Sequence, residues 1–368
     1  MHPKFWIRLP IAALLVALTY LLFWPIDASP VSWQPQPSDG YQGVHLPNEK
    51  LAAFKPVPLT WGAGPEHVAV GPDGKVYMGL DNGRVVRMAP DGSSQEVVAD
   101  TGGRVLGFDF DAQGRLIAAD AYRGLIAIDS GGKVSLLTQE VGPGDPIRYA
   151  DAVTTGADGR IYFTEGSQHF APEEWGGPLG ASVAEIIEQR GSGRVLVYDP
   201  VTRRTEVIAR GLVFANGIVV TQDGRSLLVV ETGRYRVWRI DLAARNLDVR
   251  KGGTDQARVL LDNLPAFPDN LTRGSQGRYW LGLPQARSQL ADQLAALPFL
   301  RTITLRLPQA LLPAPAPYGH AIAFTEQGEV VVDLQDPSGR WHDITGVTEA
   351  AGRLYLHSLV VPALGMRP

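Results

Sequence analysis

The chain has 368 residues, 45% of them hydrophobic, with 34 Lys and Arg against 38 Asp and Glu for a net charge of −4. That apolar content is enough for a large core, and the scattered basic residues form no footprint for nucleic acid, which is excluded as a partner. With no cysteine, disulfides, thiolate metal sites and a cysteine nucleophile are excluded too, so any metal must be held by oxygen or imidazole.

Residues 5–26, FWIRLPIAALLVALTYLLFWPI, are apolar apart from Arg8. About 20 helical residues cross the roughly 30 Å hydrocarbon layer of a bilayer. Lys4 and Arg8 keep the N-terminus cytoplasmic, so the expectation is an N-terminal transmembrane helix within residues 1–26 and an extracytoplasmic body, periplasmic or lumenal/extracellular. A cleaved signal peptide is the alternative, although no small-x-small site follows the run. Residues 27–50, with Pro30, Pro35, Pro37, Gly40, Gly43 and Pro47, read as an extended linker, and residues 51–368 as the folded body.

Within that body six stretches share one signal, a polar turn closing on Gly and then an apolar-aromatic run: PDGKVYMG, AQGRLIAAD, ADGRIYFTE, QDGRSLLVVET, SQGRYWLGL and AAGRLYLHS. Their turn glycines are Gly74, Gly114, Gly159, Gly224, Gly277 and Gly352. Glycine suits the turn and the flanking β-branched and aromatic residues suit a half-buried strand, so each unit is a hairpin. The array predicts an all-β fold, a six-bladed β-propeller. The last hairpin lacks outer strands, so residues 51–59 are expected to complete its blade, and the turn at Gly328 to form the outer hairpin of the fifth. Two helical insertions break the spacing. The first holds a helix over 181–190 with Val183, Ile186 and Ile187 on one face. The second, residues 285–317, is apolar, partly helical and basic, and reads as a lid, a membrane-contacting flap or surface packing.

Eight residues before the six glycines stand Glu66, Leu106, Asp151, Asn216, Asp269 and Ile344. In a propeller, equivalent positions surround one axis, so three acids and an amide should converge and repel unless a cation lies between them. Calcium is the first expectation, because it takes six to eight oxygens in flexible geometry, whereas zinc recruits histidine, absent from this register. A water-filled polar channel is the alternative. Asp120, Glu165 and Glu231 should lie near the same rim, with Arg123 and Arg234 as counter-charges, and read as blade-edge salt bridges. His67, His169 and His320 fall near the expected site loops, as proton shuttles or as histidines without a role.

The run GRVLVYDPVTRRTEVIARGLVFANGIVVTQDGRSLLVVETGRYRVWRIDL, followed by LLDNLPAFPDNLTRGSQGRYWLGL, resembles the strictosidine synthase-like proteins and within them the adipocyte plasma membrane-associated group. These share a six-bladed propeller with paraoxonases and the gluconolactonase and senescence-marker family. The resemblance implies a divalent ion, most simply calcium, held by Glu66 in GPEHVAV, Asn216 in FANGIVV, Asp269 in FPDNL and Asp151 in YADAV, which replaces an Asn, with Asn270 as a further ligand. It implies Asp269 as general base. The glutamate that strictosidine synthases use falls near Thr345, Leu106 takes the first position of the paraoxonase histidine dyad, and His67 and Ala152 replace acids of a second calcium site. The expected function is a metal-dependent hydrolase of lactones or aryl esters on the extracytoplasmic side of a membrane. The alternatives are a non-catalytic membrane-surface binding propeller with a structural ion and, more weakly, a condensing lyase.

Overall fold

The repeated turn glycines do what their sequence context requires. Gly74, Gly114, Gly159, Gly224 and Gly277 all take φ between 68° and 78°, in the left-handed region that L side chains rarely adopt, and each closes a hairpin. The computed structural model describes residues 3–308, 311–312 and 316–368. Its strands form six antiparallel blades. Blade 1 runs Val68–Val70, Val76–Gly79, Arg84–Met88 and Glu96–Asp100, and blade 2 Val105–Phe110, Leu116–Asp120, Gly124–Ile128 and Val134–Thr138. Blade 3 is Ala150–Thr155, Ile161–Glu165, Gly193–Asp199 and Arg204–Leu212, and blade 4 Ala215–Val220, Ser226–Glu231, Arg236–Asp241 and Ala257–Leu261. Blade 5 is Leu271–Arg273, Arg278–Gly282, Gly319–Thr325 and Val330–Asp336. Blade 6 is Ile344–Ala350, Arg353–Ser358, Ala363–Arg367 and, from the other end of the body, Lys55–Pro58.

The first strands of the blades touch their neighbours in cyclic order, blade 6 returning to blade 1, so they surround a common axis. The ring closes as expected: Lys55 lies opposite Met366 and Pro58 opposite Ala363 in an antiparallel pair. That strand carries Pro56 and Pro58, tolerable because it is the edge of its sheet. The turn at Gly328 joins the outer strands of blade 5, as expected. The core lies between blades, where Phe108, Ile117, Ile126 and Phe163 of blades 2 and 3 pack together, and Trp280, Trp341 and Leu356 fill the gap between blades 5 and 6. Burial of such side chains, about 1.5–3 kcal/mol each for the aliphatic and Phe residues, holds the blades in a ring.

The insertions and the N-terminus depart from expectation. Helix α1 covers Pro3–Phe23, but among the described residues no helix is long and apolar enough to cross a membrane. The expected transmembrane helix is therefore not supported. Helix α2, Pro178–Glu188, begins and ends earlier than expected, because Pro178 supplies a first-turn proline and Gln189 stops it in the left-handed conformation at φ 62°. The second insertion forms α3, Gln289–Leu294, and α4, Pro298–Arg306; residues 309–310 and 313–315 of that expected flap lie outside the described residues. Arg306 runs to the C-terminal end of α1, where Nε donates to Trp24 O and Nη1 to Leu21 O, both at 2.8 Å. A cation on those carbonyls stabilises the end of a helix.

Candidate functional site

A repeated irregularity sets the site. The pairing of first and second strands slips at Leu106 in blade 2, at Asp151 and Ala152 in blade 3, at Asn216 and Gly217 in blade 4, and at Thr345 in blade 6. A bulge breaks strict alternation and re-aims a side chain. Glu66 and Asp269 stand just ahead of the first strands of blades 1 and 5, and Asp269 is still tied to its sheet by its N–H on Gly282 O at 3.0 Å. In blade 6 the eight-residue spacing is off by one: Thr345, not Ile344, holds the bulge. The hairpin there turns through Ala351 and Gly352 alone, at φ 49° and 75°, where the other turns take five or six residues.

Glu66, Asp151, Asn216 and Asp269 are between 4 and 7% exposed, buried yet not sealed. Their charges are felt mutually. Burial, then Glu66 and Asp269, push the Asp151 carboxyl well above the usual range. Burial, then Glu66, do the same to Asp269, opposed by Asn216. Burial also raises Glu66, and the opposing charge is Arg104, whose Nη2 donates to Glu66 Oε2 at 2.9 Å. Arg104 Nη1 is buried with no hydrogen-bond partner. Sequence reasoning missed this guanidinium; the available signal was its place two residues before Leu106, the one apolar member of the register in blades 1 to 5.

Three buried carboxylates against one guanidinium leave an excess of negative charge, the condition a cation relieves. The donor set fits a hard divalent ion, and one atom argues for it directly. Asn216 Nδ2 donates outward to Thr232 Oγ1 at 3.3 Å, while Asn216 Oδ1 is buried with no hydrogen-bond partner. Thr232 Oγ1 in turn donates to Pro268 O at 2.8 Å, which fixes the amide between blades 4 and 5. Asn270 commits its amide nitrogen to Glu66 O at 3.1 Å and keeps only Oδ1 for an ion.

The backbone of Glu66 rests on a floor that spans the ring closure. Its carbonyl accepts from Thr345 Oγ1 at 2.7 Å as well as from Asn270, and His357 Nδ1 lies 3.2 Å away. His357 and His67, whose rings are 5.9 Å apart, are both held neutral; burial drives His67 down to about 4, and burial and His67 drive His357 down to about 3. His357 was not visible in the sequence, since nothing marks its strand as reaching the axis. His169 instead pairs with Glu188 and Asp27, and His320 lies on the third strand of blade 5, away from the first-strand register that carries Glu66, Asp151, Asn216 and Asp269.

Glu165 and Glu231 form the expected blade-edge salt bridges, whereas among the described residues Asp120 has no ion pair; all three share one role, in that each accepts the N–H of a residue just ahead of its own blade's first strand, Arg148, Val213 and Arg104 respectively. Their cationic neighbours are not those expected. Glu165 pairs with Arg194 and Glu231 with Arg236, both at 2.6 Å. Arg123 donates to Thr101 O, and Arg234 lies 4.5 Å over the Trp33 ring.

An apolar wall adjoins the acids. Leu106, Tyr149 and Phe214 pack with Phe170 and with Ala181 and Ala184 of α2, so the first insertion roofs the residues beside Asp151 and Asn216. Tyr149 feels Asp151, Glu66 and Asp269, which add to burial in raising its hydroxyl. One glycine allows the close approach of blades 4 and 5: a Cβ on Gly217 would come to 2.4 Å from Asp269 O and 2.5 Å from Leu271 N, atoms of backbone that cannot swing aside. Gly217→Ala is therefore expected to lower stability by about 1–3 kcal/mol. Denaturant unfolding curves check this; an unchanged midpoint would show that blades 4 and 5 part without cost.

Comparison with known proteins places this architecture. The chain is 30% identical over 340 residues to Protein STRICTOSIDINE SYNTHASE-LIKE 10 of Arabidopsis thaliana, an alignment covering 85% of this chain and 87% of the relative. The chain belongs to the strictosidine synthase-like family. Family models agree, with Strictosidine synthase-like, N-terminal, matching residues 43–88 and Strictosidine synthase matching residues 151–244. Within the strictosidine synthase-like proteins it is also similar to the adipocyte plasma membrane-associated protein of Homo sapiens, at 30% identity over 372 residues, 95% of this chain and 85% of the relative. Solved structures share the fold: a gluconolactonase from Xanthomonas campestris (TM-score 0.61, 17% identity, 91% of this chain and 97% of that one) and the calcium-binding protein regucalcin from Agrobacterium tumefaciens (TM-score 0.56, 12% identity, 85% and 93%).

Proposed function

We propose that this strictosidine synthase-like propeller is a calcium-dependent hydrolase of lactones or aryl esters. The observation that carries the reading is the buried, unpartnered Oδ1 of Asn216 beside three mutually repelling carboxylates. Glu66, Asp151, Asn216 and Asp269 would hold the ion, with Asn270 Oδ1 as a further donor. A divalent ion bound there supplies Lewis acidity toward an ester carbonyl and charge stabilisation for the oxyanion that develops.

The chain's own residues account for the rest. Asp269 acts as general base, since a carboxylate has two oxygens and one remains free to take the proton of the attacking water. Water adds its oxygen to the acyl carbon, the acyl–oxygen bond breaks, and the proton passes to the departing alkoxide, so a lactone opens to a hydroxy acid. Arg104 Nη1 offers an unspent donor for a polar substituent of the substrate. Leu106, Tyr149, Phe170 and Phe214 line an apolar wall that favours hydrophobic acyl or aryl groups and keeps competing water out. Against condensing chemistry stands Thr345, which donates its hydroxyl to Glu66 O and offers no carboxylate.

The helices support action at a bilayer. Ile11, Leu14, Leu15, Val16, Phe23 and Trp24 of α1 and its end are exposed, as are Leu297, Phe299 and Leu300 around α4, against which α1 packs. Helix α4 also packs on α2, the roof of the site, so this apolar surface belongs to the end of the ring where Asp151 and Asn216 stand. A relative named for the plasma membrane fits the same reading. We place the site mouth toward the lipid, on the extracytoplasmic side. The test is hydrolysis of a panel of lactones and aryl esters by the full chain, with calcium and then with chelator: turnover that needs calcium is expected, and its absence across the panel beside clear thermal stabilisation by calcium would favour a non-catalytic binding propeller.

A further inference from the structure

Away from the axis, the outer hairpin of blade 5 meets the N-terminal segment at a cluster the hydrolytic reading does not use. His320, on the third strand of that blade, is 0% exposed, and Asp333, on the fourth, is buried beside it. His45, at the end of a 3-10 turn over Gly43–His45, lies on top of them, half-buried. Asp333 Oδ2 is 2.8 Å from His45 Nδ1 and 2.9 Å from His320 Nε2, and the three atoms all lie within 4.8 Å of one another. The other carboxylate oxygen accepts from Asn48 Nδ2 at 3.0 Å and from Gln335 Nε2, so the carboxylate is held in one orientation by outer partners.

Two polar atoms beside this cluster are buried without a hydrogen-bond partner, His320 Nδ1 and the Tyr41 hydroxyl. The Tyr41 ring packs 5.4 Å from that of His320, and Asp333 is among the charges that raise its hydroxyl, after burial and Tyr318. The set is two imidazole nitrogens, one carboxylate oxygen and a nearby unspent phenol. Burial also favours the uncharged form of His320, the form that ligates metals. Its unpaired Nδ1 can carry the proton displaced from Nε2, so ligation there requires only a change of tautomer. Mixed imidazole and carboxylate donors suit zinc or a similar transition ion far better than calcium, which prefers oxygen alone.

We infer that His45 Nδ1, His320 Nε2 and Asp333 Oδ2 form a second metal site, for zinc or a similar transition ion, with the fourth position open to a water facing Tyr41. Tyr41 and His45 come from the segment that follows α1, His320 and Asp333 from the propeller. A metal here staples that segment to blade 5 and so holds the N-terminal helix at a fixed place on the ring.

The test uses the full chain in detergent, stripped of metals and then given calcium, and titrated with zinc and separately with cobalt. One zinc per chain is expected, and cobalt is expected to show the visible bands of a four-coordinate ion. His45→Gln keeps a polar side chain at a half-buried position and is expected to lower zinc affinity by at least about tenfold and to abolish the cobalt bands, with calcium-dependent stability unchanged and the circular dichroism spectrum retained. Failure of the parent chain to bind zinc, or equal zinc affinity in His45→Gln, overturns the inference whatever the outcome of the hydrolysis assays.

Discussion

Asp269→Asn is expected to lower calcium-dependent hydrolysis by about 10²- to 10⁴-fold, the range over which a positioned acid or base contributes. The substitution keeps the shape of the side chain and its place beside Asn216, but its amide nitrogen cannot accept a proton and its charge is gone. A second consequence separates this role from damage to the fold. Without metal the Asp269 carboxyl is buried and repelled by Glu66, so its neutral replacement should unfold at the same temperature or a higher one in chelator. The parent chain should overtake the variant only when calcium is added. Thermal melts in both conditions, with rates on one responsive ester, measure the pair of effects. A variant less stable in chelator than the parent would mean that Asp269 is held by contacts other than those described.

Removing calcium is the second large perturbation. An ion that binds only the folded chain stabilises it by RT ln(1 + [L]/Kd), about 2.7 kcal/mol at a hundredfold excess over Kd. Chelator should therefore lower the unfolding temperature by several degrees. In the stripped protein a pH dependence should also emerge from carboxyls away from the axis. Burial pushes Glu165 up to about 7 despite Arg194, and pushes Glu185 up to about 7 despite its Ser192 and Ser167 hydrogen bonds. An acid whose folded pKa exceeds its unfolded value binds more protons folded than unfolded, so stability falls as pH rises between the two values. The stripped chain should thus be more stable at pH 6.5 than at pH 8. Below about 6.5 the buried, neutral His67 and His357 work the other way, because the unfolded chain protonates its histidines first. Denaturant melts across that interval test the sign, and a stability that climbs steadily from pH 6.5 to 8 would contradict it.

Much of the architecture was legible because the turn residues and the strand pattern agree. In five blades the turn glycine is the fourth residue after the first strand, which made the glycines a reliable ruler. It reached Glu66, Asp151, Asn216 and Asp269 because the first-strand irregularity recurs at one distance from the turn. The same ruler slipped at Ile344, where a two-residue turn makes Gly352 only the second residue after the strand and Thr345 takes the position. Arg104 and His357 escaped notice for a different reason: both reach the site across blade boundaries, Arg104 to Glu66 of blade 1 and His357 to the same residue from blade 6. Pairing between elements far apart in sequence leaves no periodic mark. The counter-charges failed likewise, since Arg194 and Arg236 face Glu165 and Glu231 from the adjacent strand, whereas Arg123 and Arg234, nearer the turns, were the ones the hairpin pattern suggested.

Direct measurement of bound calcium tests the central claim, that the four aligned side chains form one cation site on the axis. Equilibrium dialysis of the stripped full chain against calcium, with metal content read by mass spectrometry, should give one tightly held ion per chain. Asp151→Ala and Asp269→Ala, which remove the oxygen donors altogether, should each lose it while His45→Gln retains it. A chain that holds no calcium, or holds it equally well in both aspartate variants, contradicts the account.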